Sequence, residues 1–199
     1  MAETPLQFWF EFASPYTYIA AERIEKLAAS TSITVAWEPF LLGPVLQALG
    51  SKPPAEAQPW KVPYMWRDIE RLCGKYNLPV RAPSKHPRFA LLAARTALVA
   101  LREDWGADFI RRIFRANFAE DRDIADKQVI TDILLSMNQS PESILDRATS
   151  DTVKLQLREQ TETAEQRGIF GSPTFIIQDE IFWGQDRLED ALAWAADAA

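Results

Sequence analysis

Strand-forming segments occur at the two ends of this 199-residue chain and not between them, which restricts the fold more than any other feature. Residues 6–12 (LQFWFEF) are a short apolar and aromatic run behind Pro5 and read as a strand buried on both faces. Ser14-Pro15 supplies an N-cap and a first-turn proline. Tyr18, Ile19, Ala21, Ile24 and Leu27 then recur at helical spacing, which predicts a helix over 15–29. Residues 33–40 (ITVAWEPF) alternate and read as a second strand, so the chain opens with a βαβ unit of parallel strands. From residue 44 to about 168 the pattern is helical: Pro53, Pro54 and Pro59 mark a loop, and helices are predicted over 60–77, 88–102, 106–118, 126–137, 141–148 and 151–167, with Gly168 as a C-terminal stop. Strand character returns at 174–178 and 181–183 around an Asp179-Glu180 turn, before a helix over 187–197 capped by Asp186. End segments of this size are too small to stand alone, so they are expected to complete one mixed sheet. The predicted class is α/β, with residues 1–43 and 169–199 as the sheet domain and 44–168 as an all-helical insertion domain.

Charge and cysteine content narrow the function. Apolar residues make up 47%, charged residues 25%, and the net charge is -6 without a Lys/Arg block, which argues against nucleic acid or an anionic membrane as partner. No apolar run is long enough to span a bilayer. The opening Met-Ala-Glu-Thr-Pro has no signal-peptide pattern, and cytoplasmic residence is expected. A single cysteine, Cys73, and a single histidine, His86, provide neither an internal disulfide nor a His-rich metal site, and no metal is expected.

Chemistry concentrates at the element junctions. A helix N-terminus leaves N–H groups unpaired and carries about half a positive charge, so it stabilises an anion such as a thiolate. Thioredoxin-type enzymes place Cys-x-x-Cys there. Here the four residues are Ser14-Pro15-Tyr16-Thr17, which have no dithiol to cycle but include a hydroxyl able to donate to a thiolate supplied by a ligand. Taken alone, the turn favours Ser14 as only a helix cap. Gly171-Ser172-Pro173-Thr174 precedes a strand, where a cis proline would expose the preceding backbone to an added peptide strand. Trp183-Gly184-Gln185-Asp186-Arg187 joins the last strand to the last helix and places a carboxylate, either a cap or a partner for a ligand ammonium, behind a permissive glycine.

FxSPY at 12–16, Gly50-Ser51-Lys52-Pro53-Pro54 with Pro59-Trp60-Lys61, Tyr64 and Asp68, GSPT at 171–174 and WGQDR at 183–187 together resemble the 2-hydroxychromene-2-carboxylate isomerase family, kin of the kappa-class glutathione transferases within the DsbA-like thioredoxin superfamily. The resemblance runs through nearly the whole chain. It implies a thioredoxin-like fold, glutathione as cofactor, a small aromatic or unsaturated keto-acid substrate, and a homodimer. By position it implies that Ser14 stabilises the glutathione thiolate, that Ser172, followed by Pro173, pairs its backbone with the cysteinyl part, that Asp186 holds the γ-glutamyl ammonium helped by the Gln185 backbone, and that Lys61 faces the glycyl carboxylate with Ser51 nearby. Ser51 and Gln185 stand where relatives often carry Asn, or Asn or Ser. Phe40, Trp60, Tyr64 and Trp183 are the candidate walls of a substrate pocket, while Phe8, Phe10 and Phe12 read as core. Transferase activity on another electrophile, or a non-catalytic glutathione- or peptide-binding module, are the competing readings.

Other residues read more plainly. Cys73 reads as a small buried hydrophobe, His86 as an exposed or capping loop residue, and Arg111, Arg112 and Arg115 as a solvated basic face or a dimer contact. Glu120–Asp123 with Asp126 lacks the glycine and the final glutamate of a calcium loop.

Overall fold

A computed structural model describes residues 4–197; Met1–Glu3, read above for a signal, and Ala198–Ala199, at the end of the expected sheet domain, lie outside the described residues. Four strands, β1 (Leu6–Phe10), β2 (Val35–Pro39), β3 (Thr174–Ile177) and β4 (Glu180–Trp183), form one sheet in the order β2-β1-β3-β4. β1 and β2 are parallel with Phe8 opposite Trp37, whereas β3 runs antiparallel to both β1 and β4. The two ends of the chain thus complete one sheet, because β1 needs a partner on each side to satisfy its backbone.

Ten helices surround it among the described residues: α1 (Pro15–Thr31), α2 (Leu42–Ala48), α3 (Pro54–Ala57), α4 (Val62–Tyr76), α5 (Leu91–Ala100), α6 (Gly106–Phe118), α7 (Lys127–Ser136), α8 (Pro141–Thr149), α9 (Asp151–Gln166) and α10 (Leu188–Asp197). Two of these, α2 and α3, fall where no helix is predicted; prolines at their starts cost nothing there, since first-turn N–H groups have no helical partner. The fifth begins at Leu91 rather than 88, because the Arg88 side chain turns inward to Asn117 and the Arg122 carbonyl before the helix starts. β1 stops at Phe10, two residues early, and residues 11–14 form the turn that carries Ser14. α10 begins only at Leu188, after a 3-10 turn over Gln185–Arg187, so Asp186 sits within that turn instead of capping the helix.

The inner strands β1 and β3 are buried on both faces, whereas the edge strand β4 is largely exposed. Phe8 and Phe10 join α1, α5, α6 and α10 side chains in the larger cluster, while Trp9 and Ile176 turn to the other face and meet Phe40, Val45 and Ala164. Phe10 and Phe12 pack on Phe114 of α6 at 6.0 and 4.9 Å between ring centroids. Side chains from the sheet segments and from residues 44–168 therefore share one core, with Cys73 fully buried in it and its thiol pushed up to about 11 by burial.

Candidate active site

Ser14 occupies the N-cap of α1 with extended backbone, and its Oγ accepts from the Thr17 N–H at 3.3 Å. The same hydroxyl donates to the Ser172 carbonyl at 2.9 Å, and the Ser172–Pro173 bond is cis. Ser172 Oγ accepts from the Glu11 N–H at 2.9 Å and shares a hydrogen bond of 2.8 Å with Thr17 Oγ1. Two turns 158 residues apart in sequence are thereby stitched into one surface at the positive end of a 17-residue helix.

Glu11 braces this turn from beneath. Its carboxyl accepts from the Ala13 N–H at 3.3 Å and the Leu42 N–H at 3.1 Å. Burial raises its pKa above the ordinary 4.5, outweighing the backbone donors that favour the anion. No sequence signal marked Glu11, because a lone acid at the end of an aromatic strand reads as the strand's exposed edge.

On the outer side, Tyr16 donates its hydroxyl to Asp68 of α4 at 2.9 Å. Burial, and then the Asp68 carboxylate that accepts its hydrogen bond, push the phenol well above its usual value. The Gln185–Arg187 turn, which carries Asp186, and α4, which carries Tyr64, both pack against α1. Asp186 lies beside Arg187 at 3.1 Å, with its side chain 61% exposed and open to a ligand. Gly184 makes this possible: its φ is +113°, and a Cβ there would meet Asp186 Oδ1 at 2.5 Å. The Gly184 N–H donates to the Pro173 carbonyl at 3.0 Å, fixing the Asp186 turn to the cis-proline turn. Trp183 leans over Gly171, where a Cβ would strike its Nε1 at 2.2 Å, and meets Phe170 edge-on at 5.0 Å.

The remaining predicted residues divide. Trp60, Tyr64 and Trp183 are all exposed, as a pocket wall requires. Phe40 is not a wall: it is 1% exposed and packed edge-on against Trp9 in the core, because the residue following β2 turns under the sheet. Gln185 is buried, with its Oε1 lacking a partner. Ser51 closes the end of α2 through a 2.8 Å bond to the Leu46 carbonyl, and Lys61 is exposed at the end of the Pro59–Lys61 turn. Among the described residues no hydrogen bond or ion pair joins either one to the Ser14 turn.

His86 is neither exposed nor capping. Its ring is wedged against Trp66 and Phe118, at 5.2 and 6.4 Å, and burial with the nearby Arg88 charge lowers its pKa. The arginines of α6 are paired rather than free: Arg115 with Glu22 at 2.5 Å, Arg111 with Glu25, and Arg112 with Asp108 at 2.9 Å. A cleft of about 180 Å³ beside Arg112, Arg115 and Arg122 has all three guanidinium groups already paired to carboxylates.

A β1–α1 turn facing a cis proline at the head of β3, with helices between the two halves of the sheet, points to one fold family. The DSBA-like thioredoxin domain model matches residues 5–193. The chain belongs to that family. Within the DSBA-like group, it is similar to a 2-hydroxychromene-2-carboxylate isomerase of Sphingobium xenophagum, 27% identical over 186 residues that cover 92% of this chain and 94% of the relative. A glutathione S-transferase kappa 1 of Rattus norvegicus is 24% identical over 198 residues, covering 92% and 87%. A solved structure of a 2-hydroxychromene-2-carboxylate isomerase superposes with a TM-score of 0.86 at 25% identity over 98% of both chains. Unlike a dithiol oxidoreductase, this DSBA-like chain has Ser14 and Thr17 at the α1 turn, and its one cysteine is buried on α4. No described helix is long and apolar enough to cross a membrane.

Proposed function

We propose that this chain is a glutathione-dependent isomerase that interconverts 2-hydroxychromene-2-carboxylate and trans-o-hydroxybenzylidenepyruvate. The observation that carries the reading is the Ser14 hydroxyl, held at a helix N-terminus and bonded to the carbonyl ahead of a cis proline. The donor set fits glutathione. The α1 start offers N–H groups to a thiolate, the Ser172 carbonyl, which accepts from the Ser14 hydroxyl, would accept a peptide N–H in its place, and the open Asp186 carboxylate suits an ammonium.

Bound glutathione supplies a thiolate nucleophile for reversible addition to an electron-poor carbon of the unsaturated keto acid, which frees rotation about the former double bond. The chain's residues prepare that chemistry. The Ser172 carbonyl would take a peptide N–H in place of the Ser14 hydroxyl. Ser14 would then be free to donate its hydroxyl to a thiolate, while the Thr17 N–H on Ser14 Oγ keeps that hydroxyl a good donor. Trp60, Tyr64 and Trp183 offer exposed aromatic faces to a planar substrate. The kappa-class relative favours a second reading, conjugation of a different electrophile at the same site.

The test is a calorimetric titration with glutathione, following the thiolate by its ultraviolet absorbance, for the native chain and Ser14→Ala. The native chain is expected to bind and hold a thiolate at neutral pH. Ser14→Ala should largely keep the affinity yet lose the thiolate band and about 100-fold or more in turnover, as for loss of one preorganised donor. Absence of binding at millimolar glutathione defeats the reading.

A further inference from the structure

The Ser14 turn is held from a second side by a hydrogen-bonded chain that starts deep in the helical segment. The Phe12 carbonyl accepts from Asn117 Nδ2 at 3.1 Å, across 105 residues of sequence. Asn117 lies in the last turn of α6 and is fully buried. Its Oδ1 accepts from Arg88 Nη1 at 3.0 Å. A guanidinium has only donors and a backbone carbonyl only acceptors, so this arrangement leaves the amide a single orientation.

Arg88, 4% exposed, is itself held from several directions. It donates to the Arg122 carbonyl at 2.9 Å, the Asn117 and Asp121 carbonyls at 3.4 Å each, and Ser84 Oγ at 3.3 Å. Asp121 balances its charge in a close ion pair. The Ser84 N–H on Asp121, followed by Arg88, pulls that carboxyl down to about 2, so Asp121 stays an anion throughout the neutral range. A charged donor on Oδ1 also polarises the amide and strengthens its Nδ2–H as a donor to Phe12.

We infer that Asn117, oriented by Arg88, is a positioning residue that holds the Phe12 carbonyl away from the site and so sets how strongly the Ser14 turn stabilises a thiolate. The inference rests on the glutathione-binding reading. A carbonyl released from Asn117 would carry its negative end two residues from Ser14, at the point where the α1 N-terminus must favour an anion. The turn would also lose the restraint opposite Ser172, leaving the Ser14 hydroxyl less well aimed.

The test compares the native chain with Asn117→Leu, which keeps similar volume without a donor or a new charge, and with Asn117→Ser, which is too short to bridge Arg88 and Phe12. The readout is the pH titration of the thiolate absorbance of bound glutathione, beside calorimetric affinity at low pH and circular dichroism. The expected result is a bound-thiol pKa raised by about one unit in either variant, a tenfold smaller thiolate-to-thiol ratio at any given pH, with low-pH affinity within about twofold of native. A residue that only supports the fold would lower the melting temperature and leave the bound-thiol pKa where it was. That outcome in a folded variant overturns the inference alone. Failure of both variants to fold also overturns it, making Asn117 a determinant of the fold instead of the site. Absence of glutathione binding by the native chain overturns both the inference and the functional reading on which it rests.

Discussion

Glu11 shows how a single side chain sets the turn's chemistry and its pH response. Its carboxyl takes two part-buried backbone N–H groups, from Ala13 and Leu42. Burial raises its pKa, so the folded protein holds this proton more tightly than the unfolded chain. The stability linked to that proton is complete below the unfolded value near 4.5 and is lost as pH rises through the raised folded value. A Glu11→Gln variant has no such proton to lose. Its stability relative to the native chain should therefore improve as pH rises from about 4 toward neutrality, by about 1.4 kcal/mol for each unit of upward shift. Urea unfolding at both pH values measures this, and a gap that stays constant would show that the carboxyl titrates normally. Ser14 was legible from the sequence as a cap and candidate anion donor, since both roles follow from its place before a proline and a helical repeat. Glu11 and Asn117 were not, since the partners that define them lie 31 and 105 residues away.

Among elements, α1 is fixed by α6 as much as by the sheet. Arg115 of α6 grips Glu22 through both carboxylate oxygens, at 2.8 and 2.5 Å, and Arg111 pairs with Glu25. The Glu22 side chain is only 4% exposed whereas that of Arg115 is 47% exposed. Removing the arginine thus strands a covered carboxylate, while removing the acid returns a guanidinium to water. Arg115→Met is expected to cost on the order of 2 kcal/mol, between a surface pair and a fully buried one, and Glu22→Gln about half of that. Equal losses in denaturant melts would contradict the burial argument. The periodicity of α6 revealed its basic face but not its partner, because a stripe of arginines looks the same whether it meets water, a second copy or another helix.

For the whole molecule, the shared core decides how the chain unfolds. Phe114 comes from the middle of the helical segment and packs on Phe10, Phe12 and Phe118. Phe114→Ala is expected to cost about 3–5 kcal/mol, the range for an emptied aromatic core site. Secondary structure and tryptophan fluorescence should still be lost in one coincident transition, in the variant as in the native chain. Two separated transitions would mean that the helical segment forms a core of its own.

The sequence by itself determined the types of the elements other than α2 and α3, the pairing of both chain ends into one sheet, and the turns at Ser14 and Ser172. Those follow from local periodicity, proline and glycine placement, and the inability of short end segments to fold alone. Tertiary structure alone decided that Phe40 belongs to the core, that Gln185 turns its amide inward, that His86 is wedged between aromatic rings, and that an Arg88–Asn117 chain reaches the Phe12 carbonyl. Each of these depends on what a side chain meets from a distant segment, and one-dimensional spacing does not record that distance.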